Sequence, residues 1–228
     1  MSCSIKICGI TTLEDAIMVS EAGADFLGVL VNIASSPRSL TVEKAREIFS
    51  FASIPVILLT FDLTSDQVIS VVRTLNPFGV QLAGNETEEE VCKLRKTLTC
   101  EIWKSVHIPV AEVEKAKVHD IVSKINNFIE AGIDRIVIDS TVIKRNKIQK
   151  GGTGQSLDWP LAREINAQVK TFLFLAGGIK PDNVKDALLQ VKPDGIDLSS
   201  GVEKSVGKKD PQLVKSLITK VKRVEVSL

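Results

Sequence analysis

Short runs of β-branched and other apolar residues alternate with stretches whose apolar positions recur every three or four residues, from one end of the chain to the other. The runs predict strands at Ser4–Ile7, Phe26–Val31, Val56–Thr60, Gly79–Leu82, Glu101–Val106, Arg135–Asp139, Thr171–Leu175 and Gly195–Leu198. The helical periods predict helices at Leu13–Ala22, Val42–Phe51, Ser65–Leu75, Glu88–Leu98, Val113–Ala131, Trp159–Asn166, Pro181–Gln190 and Pro211–Val221. Each strand is followed by one helix. Strands that are apolar along their whole length belong to a parallel sheet covered on both faces. Eight such units in 228 residues predict an α/β protein, a closed, parallel, eight-stranded (β/α)8 TIM barrel forming one domain over residues 1–228. A doubly wound open sheet is the alternative; it would carry fewer strands, and its last unit would not need to close on its first.

Cap and turn signals set the boundaries. Thr11 or Thr12 is placed to cap the first helix, Thr41 caps the second, and Thr64 with Gln67 makes a capping box on the third. Ala22-Gly23-Ala24-Asp25 ends the first helix with glycine, and Ala131-Gly132-Ile133-Asp134 repeats the device before the sixth strand. These two turns are too short to mark a duplicated half-barrel and read as convergent. No linker, low-complexity tract or second domain interrupts the alternation.

Composition removes several classes of function. Hydrophobic residues make up 44% of the chain and charged residues 25%, enough for a sizeable core. With 29 basic and 28 acidic residues the net charge is about +1, so no positive field exists for nucleic acid. Apolar runs such as Ile54–Phe61 are far too short to cross a bilayer, and no membrane partner is expected. The start, Met1-Ser-Cys-Ser-Ile-Lys6, lacks the apolar core of a signal peptide. Cys3, Cys8, Cys92 and Cys100 form no CxxC pair and are joined by only two histidines, so no metal site is expected. Free thiols in a reducing cytoplasm are the simplest account.

In a barrel of this kind the active site lies at the C-terminal ends of the strands. Cys8 ends the first strand, and Gly9 behind it permits a sharp turn. Asp139 ends the sixth. A thiol and a carboxyl on opposite sides of one pocket make a base and acid pair, provided the thiol can lose its proton. The plain alternatives are a small buried hydrophobe for Cys8 and a loop cap for Asp139. Arg38, on the loop after the second strand, can reach over the mouth and hold a carboxylate, or can be a surface charge. Three glycine-bearing loops share the rim: Gly151-Gly152-Thr153-Gly154, Ala176-Gly177-Gly178 and Ser199-Ser200-Gly201, the last before a short helical turn at Val202-Glu203. Loops seven and eight of such barrels bind phosphate through backbone N–H groups, so a ligand with a phosphate at one end is expected.

The blocks Lys6-Ile-Cys-Gly-Ile-Thr11, Gly23-Ala-Asp25, Ser36-Pro-Arg38, Val80-Gln-Leu82, Asp139, Gly151-Gly-Thr-Gly154, Gly177-Gly178, Asp197-Leu-Ser-Ser-Gly-Val-Glu203 and Gly207-Lys-Lys-Asp210 occur in order over nearly the whole chain. Together they resemble the phosphoribosylanthranilate isomerases of tryptophan biosynthesis. The resemblance implies an Amadori rearrangement of N-(5′-phosphoribosyl)anthranilate to 1-(2-carboxyphenylamino)-1-deoxyribulose 5-phosphate, with no cofactor and no metal. It implies Cys8 as general base at the ribose C2′, Asp139 as general acid at the ring oxygen, Arg38 on the anthranilate carboxylate and Asp197 near the substrate. It also implies a phosphate site lined by Gly154, Gly177, Gly178, Gly201 and Ser199 or Ser200. The partner is then a small phosphoribosyl molecule, and the chain acts as a monomer or homodimer.

Two blocks depart from the family pattern. Gln81-Leu-Ala-Gly84 has Ala83 where the family has histidine, and Val31-Asn-Ile-Ala-Ser35 lacks the family's aromatic and proline. Other readings are a different phosphosugar isomerase or epimerase on the same barrel, or a barrel that binds a phosphate ligand without catalysis. The epimerase would need metal-binding histidines at strand ends, where the chain offers only His107 and His119. A binding barrel would have no need of both Cys8 and Asp139.

Overall fold

A computed structural model of the chain describes residues 3–109, 116–144, 147–150 and 158–226. Eight parallel strands form its centre: β1 (Ser4–Cys8), β2 (Phe26–Val31), β3 (Val56–Thr60), β4 (Gly79–Leu82), β5 (Glu101–Pro109), β6 (Arg135–Lys144), β7 (Phe172–Leu175) and β8 (Gly195–Leu198). Neighbours in sequence are neighbours in the sheet. β1 pairs with β2 from Lys6↔Phe26 to Cys8↔Gly28 and with β8 from Ser4↔Gly195 to Ile7↔Leu198. The first strand therefore closes the sheet on the last, which rules out the open sheet. Around it lie α1 (Leu13–Ala22), α2 (Val42–Phe51), α3 (Ser65–Leu75), α4 (Glu88–Arg95), α5 (Ala116–Ala131), α6 (Trp159–Asn166), α7 (Val184–Val191) and α8 (Pro211–Val226).

The helices begin where their capping chemistry places them. Thr12 accepts from the Asp15 amide at α1, and Thr41 accepts from the Lys44 amide at α2. Thr64 and Gln67 form the expected box on α3, and Thr87 with Glu90 forms a second on α4. Gly23 and Gly132 close their turns at φ of 98° and 103°, where a side chain would be strained.

Several boundaries differ from the sequence reading. β1 runs one residue past the expected Ile7, so Cys8 ends it as the last strand residue. α4 stops at Arg95, because the Arg95 guanidinium bonds the carbonyls of Leu98 and Cys100 and draws the chain out of the helix early. α7 starts at Val184, after a turn in which the Asn183 side chain accepts from the Lys180 amide. α8 continues to Val226, beyond the expected Val221. β6 runs on to Lys144 and pairs antiparallel with Lys147–Lys150, so the expected loop after Asp139 opens as a hairpin. Its start was hidden because Thr141-Val-Ile143 reads equally well as strand or loop wall. The first part of the fifth expected helix, residues 113–115, lies outside the described residues.

Side chains alternate between the two faces of each strand. Ile5, Ile7, Leu27, Val29 and Leu58 face the helices in the main core. Inside the barrel Phe26, Ile57, Trp103, Val137 and Phe174 pack together. Below them the Arg135 guanidinium lies against the rings of Phe172, Phe26 and Trp103, at 4.7, 5.2 and 5.2 Å, and pairs with Glu101 at 2.8 and 3.0 Å. That end of the barrel is filled, and the opposite end holds the open space.

Candidate active site

A cavity of about 570 Å³ opens at the C-terminal ends of the strands, within the range that takes a small ligand. Cys8, Arg38, Asp139, Asp197, Gly177, Gly178, Ser199, Ser200 and Gly201 all line it. Gly154 lies outside the described residues. Those nine expected site residues are thus brought to one mouth.

Cys8 owes its place to period-2 alternation: Lys6 and Cys8 face inward while Ile5 and Ile7 face the helices. Lys6 is fully buried and its ammonium meets the Asp197 carboxylate at 2.9 Å, across the Lys6↔Asp197 register of β1 and β8. Burial pushes the Cys8 thiol above its ordinary value, Lys6 and Lys209 pull it back, and Asp197 adds to the rise. Burial also works against the Lys6 charge, but Asp197 and Cys8 outweigh it and hold the ammonium firmly protonated. Gly9 adopts φ 73°, and a Cβ there would strike Ser199 Oγ and Arg38 Cδ. The glycine is required twice, for the turn and for the arginine that crosses over it.

Asp139 stands across the mouth on β6, its Oδ1 accepting from the Ser140 amide at 2.7 Å. Withdrawal from water pushes its carboxyl up to about 7, and the negative Asp197 adds to the push, against the Ser140 amide and Lys6. A carboxyl poised there holds a proton it can give at neutral pH.

Arg38 reaches the cavity from the β2 loop and is no stray surface charge. Its Nε and Nη2 donate to Glu203 Oε1 and Oε2 at 2.8 and 2.7 Å. Glu203 also accepts from Lys209 Nζ at 3.0 Å. Burial works to raise the Glu203 carboxyl, but the bonds from Arg38 and Lys209 outweigh it and hold it below the usual range.

On the opposite rim Gly177 and Gly178 sit at φ of 88° and 64°. A Cβ on Gly177 would collide with Ser140, and one on Gly201 with the Ile179 carbonyl, so loops seven and eight are packed closely together. The expected helical turn at Val202-Glu203 is instead a 3₁₀ turn at Ser200–Val202 followed by a two-stranded hairpin, Glu203–Ser205 with Lys208–Lys209. The shift follows from the Asp210 amide, which bonds the Val202 carbonyl and turns the chain into the hairpin.

Three charged residues of the site carried no assigned role in the sequence reading: Lys6, Glu203 and Lys209. Lys6 had a signal, since a lysine inside an apolar strand and in phase with Cys8 must point into the barrel. The other two join the site only through the hairpin, which no periodicity announces. At the two departures from the family pattern, the Ala83 carbonyl meets His107 Nε2 at 2.9 Å, and Ile33 lines the cavity behind Asn32, which takes φ 56°.

Comparison with known proteins agrees with this geometry. The profile described as N-(5′phosphoribosyl)anthranilate (PRA) isomerase matches residues 5–220. The N-(5′-phosphoribosyl)anthranilate isomerase of Methanocella arvoryzae is 33% identical over 222 residues, covering 96% of this chain and 97% of that protein. The dimeric phosphoribosylanthranilate isomerase of Thermotoga maritima, solved as generated monomers, superposes with a TM-score of 0.80 at 28% identity, over 97% of this chain and 99% of that one. A phosphoribosyl anthranilate isomerase solved with reduced 1-(o-carboxyphenylamino)-1-deoxyribulose 5-phosphate superposes with a TM-score of 0.78 at 27% identity, over the same shares of the two chains. With barrel, rim and profile in agreement, the chain belongs to the N-(5′-phosphoribosyl)anthranilate isomerase family.

Proposed function

We propose that this chain isomerises N-(5′-phosphoribosyl)anthranilate in tryptophan biosynthesis by acid–base catalysis between Asp139 and Cys8. Asp139 gives its proton to the furanose ring oxygen as the C1′–O bond breaks, and the nitrogen lone pair moves in to form the iminium. The Cys8 thiolate removes the C2′ proton, and those electrons neutralise the iminium to give the enolamine. Tautomerisation then yields the aminoketose. No electron is exchanged with an outside oxidant, so no cofactor is called for. Arg38 holds the anthranilate carboxylate, and Asp197 fixes Lys6 beside Cys8. The 5′-phosphate lies against the amides of Gly177, Gly178, Ser199, Ser200 and Gly201, with Gly154 completing that side.

The observation that carries this reading is the placement of a carboxyl poised at about 7 across one mouth from a buried thiol. Consistent with a cytoplasmic enzyme, all four cysteines are free thiols, and no described helix is long and apolar enough to cross a membrane. We further infer that residues 1–228 act as one domain, as a monomer or a homodimer. The test is the change in anthranilate fluorescence when purified protein meets freshly made N-(5′-phosphoribosyl)anthranilate. A signal that changes with enzyme concentration supports the reading, and a signal no faster than spontaneous breakdown overturns it.

A further inference from the structure

The hairpin after β8 sends two charged side chains back under the cavity, and neither lines it. Lys209 is wholly buried, with its ammonium 2.6 Å from the Cys8 carbonyl, 3.0 Å from Glu203 Oε1 and 3.3 Å from the Ser199 carbonyl. With Ser199 Oγ at 3.4 Å as well, these acceptors outnumber the two N–H donors of a neutral amine and suit the three that only a protonated amine has. The hairpin is bolted to the β1–α1 turn as well. Thr11 Oγ1 donates to the Gly207 carbonyl at 2.6 Å, and the Lys209 amide donates to Asp15 Oδ2 at 3.0 Å.

Glu203, held by Lys209, grips Arg38 through Nε and Nη2. A guanidinium has five N–H donors arranged on two forked edges. Glu203 occupies the side edge, so the end edge formed by Nη1 and the second Nη2 proton is the one left for a ligand. Arg38 keeps 15% of its side-chain surface and lines the cavity, whereas Glu203 keeps 4%. Charge counting gives Lys209 a second role. Arg38 with Glu203 alone would be a neutral pair with little pull on an anion. Two cations around one carboxylate leave one positive charge at the mouth.

We propose that Glu203 and Lys209 are positioning residues that make the site selective for a carboxylated aryl amine, Glu203 by aiming the free edge of Arg38 and Lys209 by restoring its positive charge. This rests on the role given to Arg38 above. Because Lys209 also holds the carbonyl of Cys8, the carboxylate clamp and the base share one anchor.

The test compares two inhibitors, reduced 1-(o-carboxyphenylamino)-1-deoxyribulose 5-phosphate and its counterpart with an unsubstituted phenyl ring. Inhibition constants are measured on wild type, Arg38→Ala, Glu203→Gln, Glu203→Asp and Lys209→Met, with thermal melts alongside. Glu203→Gln and Lys209→Met are expected to cut the preference for the carboxylated ligand about tenfold or more, towards the Arg38→Ala level, with the phenyl ligand affected far less. Glu203→Asp keeps the charge at a shorter reach and should fall between. Equal losses for both ligands would make the hairpin merely structural and overturn the proposal. So would an unchanged preference in Glu203→Gln while Arg38→Ala abolishes it, although Arg38 would then keep its role. If Arg38→Ala leaves the preference intact, the carboxylate role itself falls and the proposal falls with it.

Discussion

At the N-terminal end of the barrel the charges are stacked and paired; at the C-terminal end they are buried around empty space. Arg135 is sandwiched among three aromatic rings and doubly bonded to Glu101. Beside it Asp25, Asp134 and Asp194 each accept the free amide of a neighbouring strand, at Ile5, Ile102 and Leu173, at 2.7, 2.7 and 2.9 Å. Each of these carboxylates is partnered within the protein, which suits an end whose work is to hold the barrel shut. At the other end Lys6, Cys8, Asp139 and Asp197 converge at a cavity, and the proton affinities of Lys6, Cys8 and Asp139 are all raised. Such an arrangement gives up some stability for reactivity. Mutations should therefore separate cleanly, with the upper end costing turnover and the lower end costing stability.

The largest effects belong to the upper end. Cys8→Ser replaces a thiol by a far weaker acid of similar size, and Asp139→Asn removes the transferable proton. Each is expected to lower kcat by about a hundredfold or more, with little loss of melting temperature near neutral pH. Because the two act as a unit, the double variant should be scarcely worse than the poorer single one. Near-normal turnover by Cys8→Ser in the fluorescence assay would return that residue to simple packing. Next comes Arg38→Ala, which should weaken substrate binding by about 2–4 kcal/mol, read as a rise in KM and a fall in kcat/KM. Unchanged kinetics there would reduce Arg38 to a structural partner of Glu203.

The contrast between the ends also explains what the sequence disclosed. Alternation and capping chemistry are local, so four strands and four helices have their expected bounds, and the box on α3 sits at Thr64. Once the eight units are recognised as a barrel, the strand ends follow, and Cys8, Arg38, Asp139 and Asp197 fall on one rim. What stayed hidden is long-range. No local pattern says that Lys209 returns to the carbonyl of Cys8, or that Glu203 closes on Arg38 from a loop 165 residues away. The plug of Arg135 against Phe26, Trp103 and Phe172 is equally invisible, because it joins four strands through side chains alone.

The lower end supplies the reciprocal test. Arg135→Met removes the charge but keeps much of the apolar bulk between the rings, leaving Glu101 without its partner. Both partners retain some exposure, at 18% and 26% of their side chains, so water can take over part of the role. A loss of about 1–3 kcal/mol in unfolding free energy is expected, with kcat and KM unchanged. A fall in kcat without a fall in stability would show that the plug transmits to the site and would break the division between the two ends.

A last contrast concerns Asp139 in the resting enzyme and depends on sign. Its folded carboxyl is raised to about 7 from an ordinary 3.8, so between those values the folded chain holds a proton that the unfolded chain has released. The stabilisation from this group is complete below about 3.8 and is lost as pH rises through about 7. Asp139→Asn cannot ionise and escapes that loss. Its melting temperature relative to wild type should therefore climb from about pH 4 to pH 7 and level off above, which pH-dependent melts would measure. A relative melting temperature that stays flat or falls over this range would mean that Lys6 and the Ser140 amide hold Asp139 as a carboxylate, and the acid role would fail. The same inversion shapes the kinetics. With the Cys8 thiol above its ordinary 9.0 and Asp139 at about 7, thiolate plus carboxylic acid is a minority form of the free enzyme. Thus kcat/KM should rise with pH to about 7 and fall again only above about 9, and the rising limb reports the ionisation of Asp139 rather than of Cys8. Residual activity of Asp139→Asn that still climbs through pH 7 would assign that limb to another group.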